Sequence, residues 1–238
     1  MTMTFDADTD YTALHVEDAI DVSVSNNVDR ITVTAGEHVM PNVIVETIGD
    51  KLKIGFRKNF RRHGSEISVI LPYNSDLKSI DLSNASEYHS DLALKGTDVE
   101  VRLSGASELC CDIEAIDVKI DASGASSVKS NVKSLVLDVE LSGASEAVLE
   151  GFAGKLTMDL SGASDIVKKV SGNRYALSCG ECEVALSGAS DAYIHCDGNI
   201  KVVSLTGASG LHYTGDASVT LTAGGVSDSS DIDHDVLQ

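Results

Sequence analysis

The sequence predicts an all-β fold, a parallel β-helix built from coils of about 20 residues. Three observations predict it: a short phrase that recurs at a near-constant interval, an apolar–polar alternation of period 2 ahead of each copy, and the absence of helical spacing. The phrase is Leu-Ser-Gly-Ala-Ser-acid. It reads Leu82-Ser-Asn-Ala-Ser-Glu87, Leu103-Ser-Gly-Ala-Ser-Glu108, Ala122-Ser-Gly-Ala-Ser-Ser127, Leu141-Ser-Gly-Ala-Ser-Glu146, Leu160-Ser-Gly-Ala-Ser-Asp165, Leu186-Ser-Gly-Ala-Ser-Asp191 and Leu205-Thr-Gly-Ala-Ser-Gly210. Leu221-Thr-Ala-Gly-Gly-Val-Ser-Asp228 reads as a looser eighth copy. The copies start 21, 19, 19, 19, 26, 19 and 16 residues apart.

Each copy is preceded by a strand. Two places before the motif residue stand Ile80, Val101, Ile120, Val139, Met158, Val184, Val203 and Val219, all apolar. Four places before it come Lys78, Val99, Val118, Leu137, Leu156, Cys182, Lys201 and Ala217, mostly apolar, with polar residues such as Asp81, Arg102, Asp121 and Glu140 between. Alternation of this kind marks a strand with one buried face. Ser-Gly-Ala-Ser then supplies a turn whose small side chains let one coil lie on the next. A second short strand follows, with Leu109, Val128, Ala147, Ile166, Ala192 and Leu211 six places after the motif residue. A third segment, as at Ile113–Ile116 and Val132–Leu135, closes the coil. Stacked about 4.8 Å apart, eight coils make a rod of roughly 40 Å. A leucine-rich repeat would need a Leu-x-x-Leu-x-Leu pattern and helical returns, which are absent.

Residues 11–75 lack the motif but keep the strand signature in Ile20–Val24, Ile31–Val33, Val43–Val45, Lys51–Ile54 and Ile67–Leu71. They read as a strand-rich cap or as first irregular coils, which an open solenoid end requires. The expected organisation is residues 1–10 as a flexible N-terminus, 11–75 as the cap, 76–230 as the repeat β-helix and 231–238 as a tail.

Composition narrows the function. The 238 residues hold 37 acidic against 18 basic side chains, a formal net charge of −19. That balance argues against nucleic acid or an anionic membrane as a partner bound through bulk charge. There is no Trp and only 4% aromatic residues, as suits a narrow core of Val, Ile, Leu and Ala. No apolar run reaches the 18 residues of a transmembrane helix. The acidic N-terminus lacks the basic and apolar regions of a signal peptide. Two placements stay open: a cytoplasmic chain, or an exported one whose signal is absent from this sequence.

One family resemblance rests on an ordered set of pieces. Ala19-Ile-Asp-Val-Ser-Val24 is followed by Asp50-Lys-Leu-Lys-Ile54, Ser68-Val-Ile-Leu-Pro72, Leu77-Lys-Ser-Ile-Asp-Leu-Ser83 and the Ser-Gly-Ala-Ser coils. Over roughly residues 11–230 this order resembles the family described as auto-transporter adhesin, head GIN domain, common in Bacteroides-type envelopes. The resemblance implies a right-handed β-helix similar to pectin-lyase folds, envelope or secreted placement, and adhesion. It brings no catalytic or ligand residues. The chain departs from the pattern at Asn84 in place of Gly, at Ala122 in place of Leu, and in lacking a secretion signal.

Several residues are candidates for chemistry. The closing acids Glu87, Glu108, Glu146, Asp165 and Asp191 should form one ladder, interrupted at Ser127. A Ca²⁺ ion between coils would relieve the repulsion of carboxylates about 5 Å apart. The alternative is that they point into water, where repulsion is screened. No other cofactor is expected. A second acidic row, Asp81, Asp121, Glu140 and Asp159 with Arg102 among them, offers the carboxylate pairs that a polysaccharide hydrolase or lyase uses. These acids follow the repeat, whereas a catalytic pair would break it locally. The stretch Lys53–His63, with Arg57, Lys58, Arg61, Arg62, Phe56 and Phe60, could grip an anionic glycan or an acidic surface protein. The long fifth interval places Ser171-Gly-Asn-Arg174-Tyr175 as a surface loop on a regular scaffold, a common place for binding.

Cys179-Gly-Glu-Cys182 has redox or metal spacing, but Cys182 falls at an inward position that other coils fill with Val or Leu. The seven histidines show no ligand spacing. The functional expectation is non-catalytic binding or adhesion at a bacterial envelope. The alternatives are a carbohydrate-active β-helix enzyme and a structural envelope spacer. Ligand and oligomeric state are not readable from the residues.

Overall fold

The computed structural model describes residues 1–6, 10–60, 64, 66–223, 225–227 and 229–237. The alternating segments of the N-terminal third form β1 (Thr2–Asp6), β2 (Ala13–Val16), β3 (Asp21–Ser25), β4 (Arg30–Thr34), β5 (Val43–Ile48), β6 (Lys51–Phe56) and β7 (Ser68–Pro72). The repeat region gives β8 (Ser79–Leu82), β9 (Glu87–Leu103), β10 (Glu108–Ala122), β11 (Ser127–Leu141) and β12 (Glu146–Leu160). Then come β13 (Asp165–Ile166), β14 (Val170–Ser171), β15 (Arg174–Tyr175), β16 (Leu177–Leu186), β17 (Asp191–Leu205), β18 (Gly210–Thr214), β19 (Ser218–Leu221) and β20 (Asp231–His234). The architecture is the predicted one, a parallel β-solenoid with coils of about 19 residues.

The parallel ladders run coil on coil, β9 to β10, β10 to β11, β11 to β12, β12 to β16 and β16 to β17. Equivalent residues therefore stand in columns along the rod. Leu82, Leu103, Ala122, Leu141, Leu160, Leu186 and Leu205 are buried in one inward column, and Leu109, Val128, Ala147, Ile166, Ala192 and Leu211 in another. Burying each large aliphatic side chain is worth about 1.5–3 kcal/mol. Ala122 sits in the Leu column and is fully buried.

The turn decides how closely coils can approach. The amide of Ala125 donates to the carbonyl of Gly105 at 2.7 Å, and Ala144, Ala163, Ala189 and Ala208 repeat the bond onto the glycine of the coil before, also at 2.7 Å. Gly124 and Gly143 have φ of +82 and +78. A Cβ on either would lie 2.5–2.6 Å from the carbonyl oxygen of the glycine beneath, inside any tolerable contact. The second Ser of each turn is buried and closes it: Ser107, Ser126 and Ser145 donate from Oγ to the carbonyls of Ser104, Ser123 and Ser142 at 2.8 Å. Asn84 marks a change of turn type. Asn84 and Ala85 have φ of +56 and +67, matching Asp18 and Ala19 at +73 and +56 in the layer beneath. Asn and Asp are the non-glycine residues that best tolerate this left-handed region.

The N-terminal layers are interlaced. β2 pairs in parallel with both β8 and β6, and β3 with both β9 and β7. Residues 13–25 thus form the layer between the first repeat coil and the later strands β6 and β7. The outer edges of β6 and β7 are covered by antiparallel β5 and β4, and β1 pairs antiparallel with β4. This antiparallel layer blunts the sheet edge that a stacked coil would leave open.

Two copies of the repeat register differently from the sequence alignment. A bulge between Val184 and Ala185 on one strand and the longer run opposite places Ile200 and Val202 inward, not Lys201 and Val203. Leu221 pairs with Val202 and is 54% exposed, while the partner of Leu205 is Val226. The eighth copy is therefore Val226-Ser-Asp-Ser-Ser-Asp231, 21 residues after Leu205. The ladder bonds Ser227 N–H to the Leu205 carbonyl and Asp231 N–H to the Ser209 carbonyl agree with it.

Gly124→Ala or Gly143→Ala should destabilise the array by about 3 kcal/mol or more, since left-handed strain adds to a backbone clash. Gly172→Ala, with φ of +65 but nothing within 4 Å, should cost only about 1 kcal/mol. Urea unfolding of the three variants checks this; equal effects would contradict the close-approach argument.

Candidate functional site

The closing acids form the expected ladder. Register pairs Glu87 with Glu108, Glu108 with Ser127, Ser127 with Glu146 and Glu146 with Asp165. The ladder also reaches Asp21 on β3 and Asp231 on β20, two members the repeat alignment misses because neither follows a Ser-Gly-Ala-Ser turn. The crowding is relieved within the protein. Glu108 accepts from Lys129 Nζ at 2.7 Å, and Asp165 Oδ1 accepts the Asp191 amide at 2.8 Å. Partial burial, with Asp21 and Glu108 beside it, pushes the Glu87 carboxyl above its ordinary value. Among the described residues no group of three or more His, Cys, Asp or Glu has the arrangement of a metal site.

The second acidic row is also engaged. Asp81 lies 2.9 Å from His15 Nδ1, and Glu140 accepts from Lys119 Nζ at 2.7 Å. Asp121, Glu140 and Asp159 border a shallow recess of about 190 Å³. Arg102 pairs with Glu100. The five cysteines are free thiols. Cys182 is buried at its inward position, as are Cys179 and Cys196. The Cys179 thiol is raised by its contact with Cys182, and Cys196 by its contact with Cys179, so neither is a ready thiolate.

The basic candidates separate into two places. Arg57 and Lys58 are exposed beyond β6, where Phe56 packs on Phe60 with ring centroids 5.0 Å apart. Arg61 and Arg62 lie outside the described residues. Arg174 is six coil steps away, roughly 29 Å along the axis at the ordinary strand spacing. The two clusters do not form one site.

Arg174 sits where the repeat breaks. The extra residues of the long interval fold as a β-hairpin, with Val170 opposite Tyr175 and Ser171 opposite Arg174, turned by Gly172-Asn173. A two-residue turn starting with Gly at positive φ suits such a hairpin. Tyr175 is an anchor here: its side chain is fully buried and its hydroxyl donates to Asp235. Its ring meets Tyr193 edge-on at 5.4 Å, and Lys168 Nζ lies 5.8 Å from its centre. Arg174, the neighbour of this anchor, points outward and makes no ion pair among the described residues.

Beside the hairpin lies a groove of about 620 Å³, lined among others by Lys133, Ser134, Leu135, Glu150, Phe152 and Arg174. Leu135 and Phe152 are 63% and 52% exposed, large apolar side chains held in water. Phe152 stands in a column with Lys95, Glu114 and Lys133 on one side and Ser178 on the other, all of them charged or polar. That apolar intrusion into a polar column was the available signal for the groove. Gly151, at φ +100, forms part of the wall; a Cβ there would lie 2.1 Å from the Val132 carbonyl oxygen. Ser134 is buried and its hydroxyl has no hydrogen-bond partner.

Residues 10–217 match the family model described as "Putative auto-transporter adhesin, head GIN domain". The chain belongs to this family. Among solved structures it is similar to a "putative adhesin" from Parabacteroides merdae ATCC 43184, with a TM-score of 0.83 at 18% identity, over 98% of this chain and 95% of that one. A "putative adhesin" from Parabacteroides distasonis ATCC 8503 gives 0.81 at 16% identity, over 98% and 95%. A "putative lipid binding protein" from the same organism gives 0.75 at 14%, over 98% and 96%. At these identities the likeness establishes the fold. No curated protein matches the chain. No helix among the described residues is long and apolar enough to cross a membrane.

Next to the groove, Glu114 bridges Lys95 at 2.8 Å and Lys133 at 3.0 Å. The two ammonium groups hold its carboxyl well below the usual 4.5, at about 2. A lowered folded value contributes stability above the unfolded value and loses it as pH falls from about 4.5 toward 2. NMR titration should find Glu114 ionising near 2, and near 4.5 in the Lys95→Ala/Lys133→Ala double variant. Titration near 4.5 in the parent protein would show that the bridge does not persist in solution.

Proposed function

We propose that this protein is a non-catalytic binding module of the bacterial cell envelope, offering a rigid β-solenoid surface to an extracellular partner. The observation that carries the reading is the single long break in the repeat. The four coils that open at Leu103, Ala122, Leu141 and Leu160 keep a 19-residue interval through Ser-Gly-Ala-Ser turns. The chain then inserts an anchored hairpin, and there it exposes two large apolar side chains and an arginine without an ion pair beside one groove. Irregular segments on a regular scaffold are where binding residues concentrate. Membership of the adhesin family supports the same reading.

Catalysis fits the residues less well. The acids that could work in pairs follow the repeat, and Glu140 and Asp81 are held by Lys119 and His15. A general acid and base need different surroundings to set their proton affinities apart. Columns of repeated residues in like surroundings supply no such contrast.

Protease treatment of intact source cells, with fractionation alongside, tests the placement. The expected result is release of this chain from the cell surface while cytoplasmic markers stay protected. Full protection together with the cytoplasmic fraction would contradict the envelope reading.

A further inference from the structure

We infer that the groove beside the β14–β15 hairpin is a binding site for an acidic oligosaccharide. The inference rests on the binding reading above and names its ligand class. Its first support is charge. In a chain carrying −19, the groove presents two cations at its rim. Arg174 makes no ion pair among the described residues. Lys133 shares Glu114 with Lys95, so that trio keeps one net positive charge. The acid in the groove, Glu150, is neutralised by Lys169. A guanidinium fork binds a carboxylate in a planar, bidentate manner.

Its second support is shape. The half-exposed ring of Phe152, next to Leu135, offers a flat apolar face within a polar wall. A sugar ring has an apolar face of C–H groups and a rim of hydroxyls, so it can cover the ring while its hydroxyls reach polar neighbours. The recess is built rather than incidental: Gly151 keeps its wall free of a side chain, and Tyr175 pins the hairpin that carries Arg174 to the neighbouring coils. A lipid bilayer is the poorer fit, because a chain carrying −19 is repelled as a whole by an anionic membrane surface.

The test is calorimetry on the full chain with tetragalacturonate, a sialyllactose and a glucuronate-bearing tetrasaccharide, each beside its carboxyl-reduced form. At least one acidic probe should bind, weaken at higher salt, and bind at least tenfold more tightly than its reduced form. Arg174→Ala and Phe152→Ala should each weaken binding at least tenfold, Arg174→Lys less so, and Lys58→Ala not at all. Both target side chains are exposed, and circular dichroism with an unchanged urea midpoint verifies that the variants fold. Equal binding of acidic and reduced forms, or indifference to Arg174 and Phe152, overturns the inference. So does Arg174-dependent capture by phosphatidylglycerol vesicles with no acidic sugar bound. Binding of the labelled protein to source-cell surfaces separates the two levels. If Arg174→Ala and Phe152→Ala bind cells like the parent, the groove assignment fails and the binding module stands. If the parent binds neither cells nor any probe, both fail.

Discussion

Everything in this molecule depends on how closely one turn can lie on the next. The amides of Ala125, Ala144, Ala163, Ala189 and Ala208 donate to the carbonyl of the glycine one coil before at 2.7 Å, and the glycine that makes this possible has no room for a Cβ. The bond fixes the height of a coil and its rotational register together. Once register is fixed at one corner, strand residues fall over their equivalents in the neighbouring coil, except where a bulge shifts the ladder. Columns of Leu, Val and Ile then form most of the core. The buried Ser Oγ bonds close each turn from within, so the corner satisfies its own polar groups.

The same constraint explains the outside. Columns that place like charges a coil apart are uncomfortable, and the chain answers with cross-coil pairs such as Lys129 with Glu108 and Lys95 and Lys133 with Glu114. Exposed pairs of this kind contribute little stability each. Their effect is to neutralise a regular surface locally, so that departures from regularity carry the information. The hairpin after β13 is such a departure, and Phe152 in a column of charged and polar residues is another.

Much of this was readable in the residues. The spacing of Leu103, Ala122, Leu141 and Leu160 gave the coil length, and the closing acids Glu87 to Asp191 fall in the ladder the alignment implies. The failures have physical causes. Leu221 looked like an eighth motif residue because Leu-Thr imitates the phrase, but Leu221 pairs with Val202, and Val226 takes the place beside Leu205. The interlacing of β2 and β3 with β6 and β7 could not be read, since all are alternating strands and nothing local orders them along the axis. At the candidate site, Arg174 was visible from the long interval, whereas Tyr175 proved an interior anchor. Lys133, Leu135 and Phe152 were hidden because their closeness to the hairpin depends on which coils become neighbours. Arg57 and Lys58 were singled out for charge density beside Phe56 and Phe60, and the structure sets them apart from Arg174.

The central claim is that the Ala-to-Gly bonds at the turns hold the coils in register. Amide hydrogen exchange resolved at Ala125, Ala144 and Ala163 tests it most directly, because turn amides without such bonds exchange fast. The account predicts protection at these three amides equal to that of the buried strand amides of Val139 and Met158. Exchange at the rate of an exposed loop, with the strands still protected, would contradict it.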